Sequence, residues 1–311
     1  MNPTILLIGR NGQIGGDLCR FLPRLGNVVV MGRQSLDLSK PEQIRRIIAD
    51  IRPQCIVNAA AYTAVDQAET DPVAARAINA DAPATMAEES GKLGALLVQY
   101  STDYVFDGQK KSPYLETDAT NPLGVYGKTK SDGEEAIRAS RTAHLILRTS
   151  WVYAMRGRNF LLTILRLASQ REELRIVRDQ TGAPTWSREI ADATARVLEQ
   201  LMHPQDGRSM ADVRATYHMT AAGETSWFDF ANAILEESSS LPEADAWLSA
   251  VTSGQPRKAL RIAPISTAEF PTPARRPAYS VLSNSHFSTA FGFSLPGWRD
   301  QLRSAFSHRN D

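Results

Sequence analysis

Tyr126 and Lys130 are the pair in this 311-residue chain best suited to move a proton. They stand at i and i+4 in Tyr126-Gly127-Lys128-Thr129-Lys130, the one YxxxK spacing in the sequence. On a helix, residues so spaced share a face. An ammonium beside a phenol favours the phenolate, which would let Tyr126 protonate a carbonyl oxygen as a hydride arrives from a nicotinamide. Moving a tyrosine from about 10 toward 7 takes about 4 kcal/mol. One ammonium about 4 Å away supplies about 1 kcal/mol in water and about 4 at an effective dielectric of 20. Lys130 therefore suffices only in a partly water-excluded site, where burial of the phenol pushes the other way. The same lysine is positioned to bond a nicotinamide ribose. Upstream, Ser101-Thr102-Asp103 closes an apolar run. Thr102 offers a hydroxyl to polarise the carbonyl and Asp103 a carboxylate; the plain alternative for both is capping of the following turn.

A second constellation is Gly9-Arg10-Asn11-Gly12-Gln13-Ile14-Gly15, a GxxGxxG between an apolar run and a helical stripe. Gly9 permits a tight turn, Gly12 lets backbone N–H groups approach a pyrophosphate, and Gly15 lets the helix pack on a sheet. Ligands of such sheets bind where strands end, so the tip of the second strand decides the cofactor. It reads Gly32-Arg33, with no acid to hold a ribose 2′-hydroxyl. The Arg33 guanidinium suits a 2′-phosphate and predicts that NADPH is preferred, or at least accepted alongside NADH. Asp37 and Leu38, further on, are placed to flank the adenine.

The elements that must position these residues alternate strand and helix. Thr4 to Ile8, Asn27 to Met31, Cys55 to Asn58, Ala95 to Tyr100 and His144 to Arg148 read as buried strands. Between them fall a stripe of Leu18, Phe21, Leu22 and Leu25, and one of Ile44, Ile47, Ile48 and Ile51 opened by a Ser39 to Glu42 capping box. Helices from about Pro72 to Gly91 and from about Leu123 to Ser140 follow. Strands joined by helical crossovers predict an α/β fold, a Rossmann-like doubly wound parallel sheet. After Trp151 the alternation weakens. Helical stripes appear at Phe160 to Ala168, at Ile190 to Leu201, and from a Ser226 cap through Leu235. Pro204 to Gly207 reads as a turn, Glu236 to Asp245 as a Ser-rich loop, and Pro271, Pro273 and Pro277 as an extended segment. The expected division is a dinucleotide domain over 1–150, joined by parts of about 180–222. A smaller α+β C-terminal substrate lobe takes about 151–180 and 223–311.

Composition narrows the class. Hydrophobic residues make up 42% and charged residues 22%, ordinary for a globular chain. Lys plus Arg is 35 against 34 for Asp plus Glu, a net charge of +1, which gives no nucleic-acid footprint. Cys19 and Cys55 have no CxxC spacing and read as core thiols of a reduced compartment. The five histidines form no metal-ligand pattern. No apolar stretch approaches the about 20 residues of a membrane span, so a cytoplasmic protein without membrane partners is expected.

Longer blocks carry a resemblance. Asn58-Ala59-Ala60-Ala61-Tyr62-Thr63-Ala64-Val65-Asp66, Tyr100 to Phe106, the tyrosine–lysine segment and Arg148 to Tyr153 closely resemble the dTDP-4-dehydrorhamnose reductases, extended short-chain dehydrogenase/reductases. Asp179 to Thr185 and Pro271 to Pro277 extend the similarity over nearly the whole chain. The resemblance implies NAD(P)H-dependent reduction of the 4-keto group of dTDP-6-deoxy-L-lyxo-4-hexulose to dTDP-L-rhamnose, a step in supplying cell-wall polysaccharide. It implies cofactor contacts from Gly12, Gln13, Ile14, Asp37, Leu38, Ala61, Tyr62, Thr63 and Tyr100. It matches Thr102, Asp103 and Trp151 to positions that meet the sugar, Trp151 packing on it or walling the site. Arg275 or Arg276 is left to meet the diphosphate.

Two departures qualify it. Some relatives carry an acid where Gly32 stands, which leaves NADPH against NADH to the residues present here. Some also form homodimers around Mg²⁺ held by acidic side chains. Asp17 could take one such part, but Arg299 stands where an acid is expected, so Mg²⁺ is not carried over and a homodimer stays open. Two other readings remain. One is another nucleotide-sugar reductase, epimerase or dehydratase, although a dehydratase wants a further acid where Tyr104 follows Asp103. The other is a cofactor-binding regulatory subunit without turnover, resembling the methionine adenosyltransferase regulatory protein, which shares the tyrosine–lysine motif.

Overall fold

The computed structural model describes residues 3–203, 210–242 and 244–310. The turn expected at Pro204 to Gly207 lies outside them. Five strands and their crossovers fill the first half: β1 (Thr4–Ile8), α1 (Gln13–Phe21), β2 (Asn27–Met31), α2 (Pro41–Ile51), β3 (Cys55–Asn58), α3 (Val65–Ala68), α4 (Pro72–Arg76), α5 (Ala82–Leu93), β4 (Leu96–Thr102), α6 (Val125–Ser140) and β5 (His144–Thr149). The second half is more broken: β6 (Val152–Tyr153), α7 (Phe160–Gln170), β7 (Glu173–Val177), β8 (Thr181–Gly182), β9 (Thr185–Trp186), α8 (Ser187–Met202) and β10 (Arg214–His218). It closes with β11 (Thr225–Ser226), α9 (Trp227–Ser239), α10 (Ala246–Thr252), β12 (Arg261–Ile265), α11 (Ser285–Phe291) and α12 (Trp298–Ser307).

The main sheet is parallel in the order β10-β5-β4-β3-β1-β2. Alternate residues of each strand face opposite sides, as the pleat requires. Ile5 and Leu7 pack with Leu18 of α1, Leu22 just beyond it, and Ile190 to Leu198 of α8. Leu6 and Ile8 pack with Ile44 and Ile48 of α2, Met86 of α5 and Ile137 of α6. Helices thus cover both faces, which is the doubly wound arrangement expected. Strand order reverses at β1, between β2 and β3, and that switch point opens at the strand ends. A separate core joins α7, α9 and α12 around Leu161, Phe230 and Leu302. The chain returns late to the first core, where Phe287 and Leu295 pack.

Three local expectations change. The helix from Pro72 to Gly91 is interrupted at Ala77–Asp81, where the Ala82 N–H reaches back five residues to the Ala77 carbonyl. Pro83 explains the widening, because a proline ring crowds the carbonyl four residues before it. Ser39 forms no capping box; its hydroxyl donates to Asp37 Oδ1 at 2.7 Å, and α2 starts on Pro41 after Lys40. Glu236 to Ser239 is the last turn of α9 rather than loop. Ser238 and Ser239 hydroxyls donate to the Leu235 carbonyl, and this back-bonding makes a Ser-rich helix end tolerable. Of the two thiols, Cys55 is buried and Cys19 only half-buried.

Candidate active site

The glycine turn follows β1. Gly9 has φ +102°, and a Cβ there would stand 2.6 Å from the Ala60 nitrogen. A Cβ on Gly15 would stand 2.1 Å from the Gly9 carbonyl oxygen, so α1 packs against the turn at a distance only glycine allows. The Gly12 N–H donates to Gly9 O and the Gly16 N–H to Gly12 O, both at 3.0 Å. Among the described residues the N–H groups of Gln13, Ile14 and Gly15 find no main-chain acceptor, and Asn11 and Gly12 are exposed. An open first turn with a glycine cradle fits a dinucleotide pyrophosphate. The Gln13 side chain points elsewhere, donating to Val152 O at 3.2 Å and accepting from Asn159 Nδ2 at 3.0 Å.

The other expected cofactor residues line the same edge. Arg33 is exposed and makes no ion pair among the described residues. Asp37 is held below the usual carboxylate range by the Ser39 hydroxyl and N–H. Leu38 is half-buried. Ala61, Tyr62 and Thr63 lie in the loop after β3, where Asn79 Oδ1 accepts from the Tyr62 N–H at 2.9 Å. Tyr100 turns its side chain into the core, sharing a 2.6 Å hydrogen bond with Thr194, so only its backbone faces this edge.

Tyr126 and Lys130 come from α6, and Thr102 ends β4. The turn after β1 and the end of β4 are two strand spacings apart, about 10 Å, a span a dinucleotide can bridge. Lys130 is buried and donates to the Tyr100 carbonyl at 2.6 Å. Burial pulls its ammonium down to about 8, against the opposing charge of Glu134. Lys130 was expected to make the Tyr126 phenol more acidic, and here the structure differs. Burial pushes Tyr126 up to about 12, the Thr102 hydroxyl opposing and the Asp103 carboxylate adding to the rise. Part of the Tyr126 ring surface stays open, but its surroundings are dense enough for desolvation to dominate.

Thr102 accepts from the Tyr104 N–H and donates to Asp103 Oδ1, both at 3.1 Å, so it caps the following turn as well as facing the phenol. Asp103 is buried and pushed up to about 6 by desolvation, with Ser280, Thr102 and Ser150 pulling it down. Ser280 and Ser150 stand near enough to pull on the carboxyl, yet Oδ2 has no partner at full hydrogen-bond geometry among the described residues. Trp151 has φ +47°, a left-handed backbone that bulky residues rarely adopt. One face of its indole stacks on Trp227, ring centroids 3.5 Å apart and planes 4° from parallel. Against the indole also lies Gly182, whose added Cβ would stand 2.4 Å from Cε2, 2.6 Å from Nε1 and 2.7 Å from Cζ2. Near-equal distances to an atom and its bonded neighbours put Gly182 over the ring, on the face Trp227 leaves. Trp151 therefore offers a rim, and the stacking face expected for a sugar is covered. Arg276 pairs with Asp66 at 2.9 Å, while Arg275 is exposed and makes no ion pair among the described residues.

Three supporting residues were not singled out from sequence. Asn79, on the widened turn before α5, donates to Thr129 Oγ1 at 3.2 Å and to Tyr62 O at 3.1 Å, tying the loop after β3 to α6. Glu134, one turn beyond Lys130, accepts from Arg148 Nε at 2.9 Å and Nη2 at 2.6 Å, both side chains buried. Its i+4 spacing from Lys130 was the available signal. Trp227 has none, because it opens a helix with no pattern pointing to the site.

Mg²⁺ finds no fit. Asp17 is buried and already engaged by Arg156 at 2.8 Å and the Ser187 hydroxyl at 2.5 Å. Arg299 contacts Glu236. Among the described residues no three His, Cys, Asp or Glu side chains gather as a metal site would require. Among them, too, no helix is long and apolar enough to cross a membrane.

By fold and site this is a Rossmann-like α/β protein of the nicotinamide-dependent oxidoreductase class. Residues 2–310 match the family model described as the RmlD substrate binding domain. A dTDP-4-dehydrorhamnose reductase of Burkholderia thailandensis is 49% identical over 295 residues, covering 95% of each chain. One from Escherichia coli K12 is 43% identical over 300 residues, 95% of this chain and 94% of that protein. The crystal structure of the Bacillus anthracis dTDP-4-dehydrorhamnose reductase in complex with NADP superposes with a TM-score of 0.85 at 32% identity, covering 99% of both chains. The chain belongs to the dTDP-4-dehydrorhamnose reductase family.

Proposed function

We propose that this chain reduces the 4-keto group of dTDP-6-deoxy-L-lyxo-4-hexulose to give dTDP-L-rhamnose, using NADPH, with Tyr126 as proton donor. The relatives named for this reaction and the one described with NADP support the substrate and the cofactor. The observation that carries the mechanism is the placing of the Tyr126 phenol against the Thr102 hydroxyl at the end of β4, with Lys130 one turn on along α6, on the sheet edge that bears the glycine turn. When bound, NADPH supplies the hydride. At neutral pH the Tyr126 phenol, at about 12, carries its proton and so is ready to donate it to the developing alkoxide. The resulting phenolate is stabilised by the Thr102 hydroxyl, which already pulls the phenol down in the resting site, while Lys130, lowered by burial to about 8, keeps a mostly charged ammonium one helical turn away. Asp103, with its unpartnered Oδ2, accepts a sugar hydroxyl, and the rim of Trp151 walls the pocket. Backbone N–H groups of Gln13, Ile14 and Gly15 take the cofactor pyrophosphate and Arg33 the 2′-phosphate, while Arg275 meets the substrate diphosphate.

Residues 1–150, with about 180–222 and the returning segment around Phe287, form the dinucleotide side; the remainder forms the sugar side. The direct test is purified protein given NADPH and the keto-sugar nucleotide. Loss of reduced-nicotinamide absorbance with formation of dTDP-L-rhamnose is expected. Bound cofactor without turnover would overturn the reading in favour of a regulatory subunit.

A further inference from the structure

Trp227 is held from several directions. It opens α9, whose first turn is capped by Ser226 accepting from the Asp229 N–H at 3.0 Å. Its ring lies between Trp151 on one side and Phe160, at 4.5 Å between centroids and 46° between planes. Phe160 is fixed at the start of α7 by Asn159, which accepts from the Leu162 N–H and donates to Gln13 in the glycine turn. Trp227 therefore cannot swing without moving a helix start. Trp151, by contrast, has the left-handed backbone that a bulky side chain leaves unless its surroundings over-determine it. Those surroundings are Trp227 on one face and Gly182 on the other. The Trp151 Nε1–H donates to no protein acceptor among the described residues, so the rim of this indole carries a free polar handle.

We propose that Trp227 is a positioning residue for sugar specificity: with Gly182 behind, it holds Trp151 edge-on. The indole then meets a pyranose through its rim and Nε1–H, not through a stacked face. This rests on the reading that Trp151 borders the sugar of a nucleotide-sugar substrate. Trp227 itself touches no reacting atom. Without it, Trp151 relaxes to an ordinary backbone and the rim turns away from the substrate hydroxyls.

The test uses the full chain as Trp227→Leu, Trp227→Phe, Trp151→Phe and Gly182→Ala, with steady-state kinetics and the far-ultraviolet circular dichroism couplet of stacked indoles. Trp227→Leu should raise KM for the sugar nucleotide about tenfold, with kcat within about threefold and KM for NADPH unchanged. Trp227→Phe keeps a stacked ring and should restore KM to within about twofold while losing the couplet. A Trp227→Leu protein that loses the couplet but keeps its KM, while Trp151→Phe raises KM, overturns the proposal and leaves Trp151 at the sugar. An unchanged KM in Trp151→Phe overturns both. Gly182→Ala drives the indole from the opposite face and carries the same tenfold expectation, so an unfolded Trp227→Leu does not shelter the idea. A folded Gly182→Ala with wild-type KM would sink it.

Discussion

Replacing Glu134 by glutamine removes one charge from a pair buried on both sides. The Glu134 and Arg148 side chains are 1% and 3% exposed and joined by two hydrogen bonds. Arg138 also reaches Glu134 at 3.1 Å but stands in solvent and can rehydrate. Arg148 cannot: its other near neighbours are the His218 ring, which burial and the Arg148 charge depress to about 3 and so keep neutral, and the Phe106 ring. An uncompensated buried guanidinium costs about 3–5 kcal/mol. At about 2 °C per kcal/mol for a chain of this size, Tm should fall by roughly 6–10 °C. The pH dependence has a definite sign. Desolvation pushes the Glu134 carboxyl up, but the Arg148 hydrogen bonds and charge outweigh it and hold the group below 4.5. A depressed folded value stabilises above the unfolded one and is lost as pH falls through the folded one. The gap between wild type and Glu134→Gln should therefore be full at pH 7 and shrink below about pH 4.5. Urea unfolding at several pH values measures both. Adding Arg148→Met should recover more than half of the loss. A Glu134→Gln protein within about 1 kcal/mol of wild type at pH 7 would refute the reasoning.

Other consequences can be measured alongside. Tyr126→Phe should lower kcat about 10²- to 10⁴-fold with NADPH affinity unchanged; a near-wild-type rate assigns the proton to another group. Asp103, raised by burial from 3.8 to about 6, binds its proton more tightly folded than unfolded, so stability falls as pH rises through that window. Asp103→Asn should stabilise the ligand-free protein by up to about 3 kcal/mol at pH 7 while raising KM for the sugar nucleotide. The stabilisation should vanish below pH 4, and a gain that ignores pH would contradict the assignment. Arg33→Ala should lower the NADPH-to-NADH ratio of kcat/KM by about 10- to 150-fold, since a charge-assisted contact to a 2′-phosphate contributes on the order of 1.5–3 kcal/mol. An unchanged ratio removes Arg33 from cofactor choice.

Much of the dinucleotide half was legible because buried parallel strands read as continuous β-branched runs. Thr4–Ile8, Asn27–Met31 and Cys55–Asn58 match residue for residue. β4 runs two residues past Tyr100, carrying Ser101 and Thr102 into the sheet, because polar residues at a strand end look like loop. β10 was missed for a related reason. Arg-Ala-Thr-Tyr-His lacks an apolar pattern, since an edge strand is covered only in part, here by Phe291 and His286 against Tyr217. The site was legible as far as single motifs reach. What escaped was side-chain direction: Tyr100 turned inward, Gln13 turned toward the lobe, and Trp151 clamped on both faces. Those depend on partners from distant segments, such as Thr194, Val152 and Gly182. For the phenol, the sequence sets the ammonium against desolvation without deciding between them; the balance falls to desolvation, with Lys130 committed to the Tyr100 carbonyl by a bond no spacing reveals.

The pairing of β10 with β5 sets limits on recombining this protein. The donated strand and α8 arrive only after the chain has begun the other core, so the two halves are threaded through each other. A fragment cut at residue 150 would bare the rim of His144–Thr149, where the His144 N–H now donates to Val213 O at 2.7 Å. It would also uncover the leucines that Ile190 to Leu198 shield. An unpaired rim next to a bare apolar face is a template for intermolecular strand addition. Chimaeras that exchange the elements around Leu161, Phe230 and Leu302 as a cassette should keep residues 187–202 and 214–218 with the parent that supplies β1 to β5, or expect inclusion bodies.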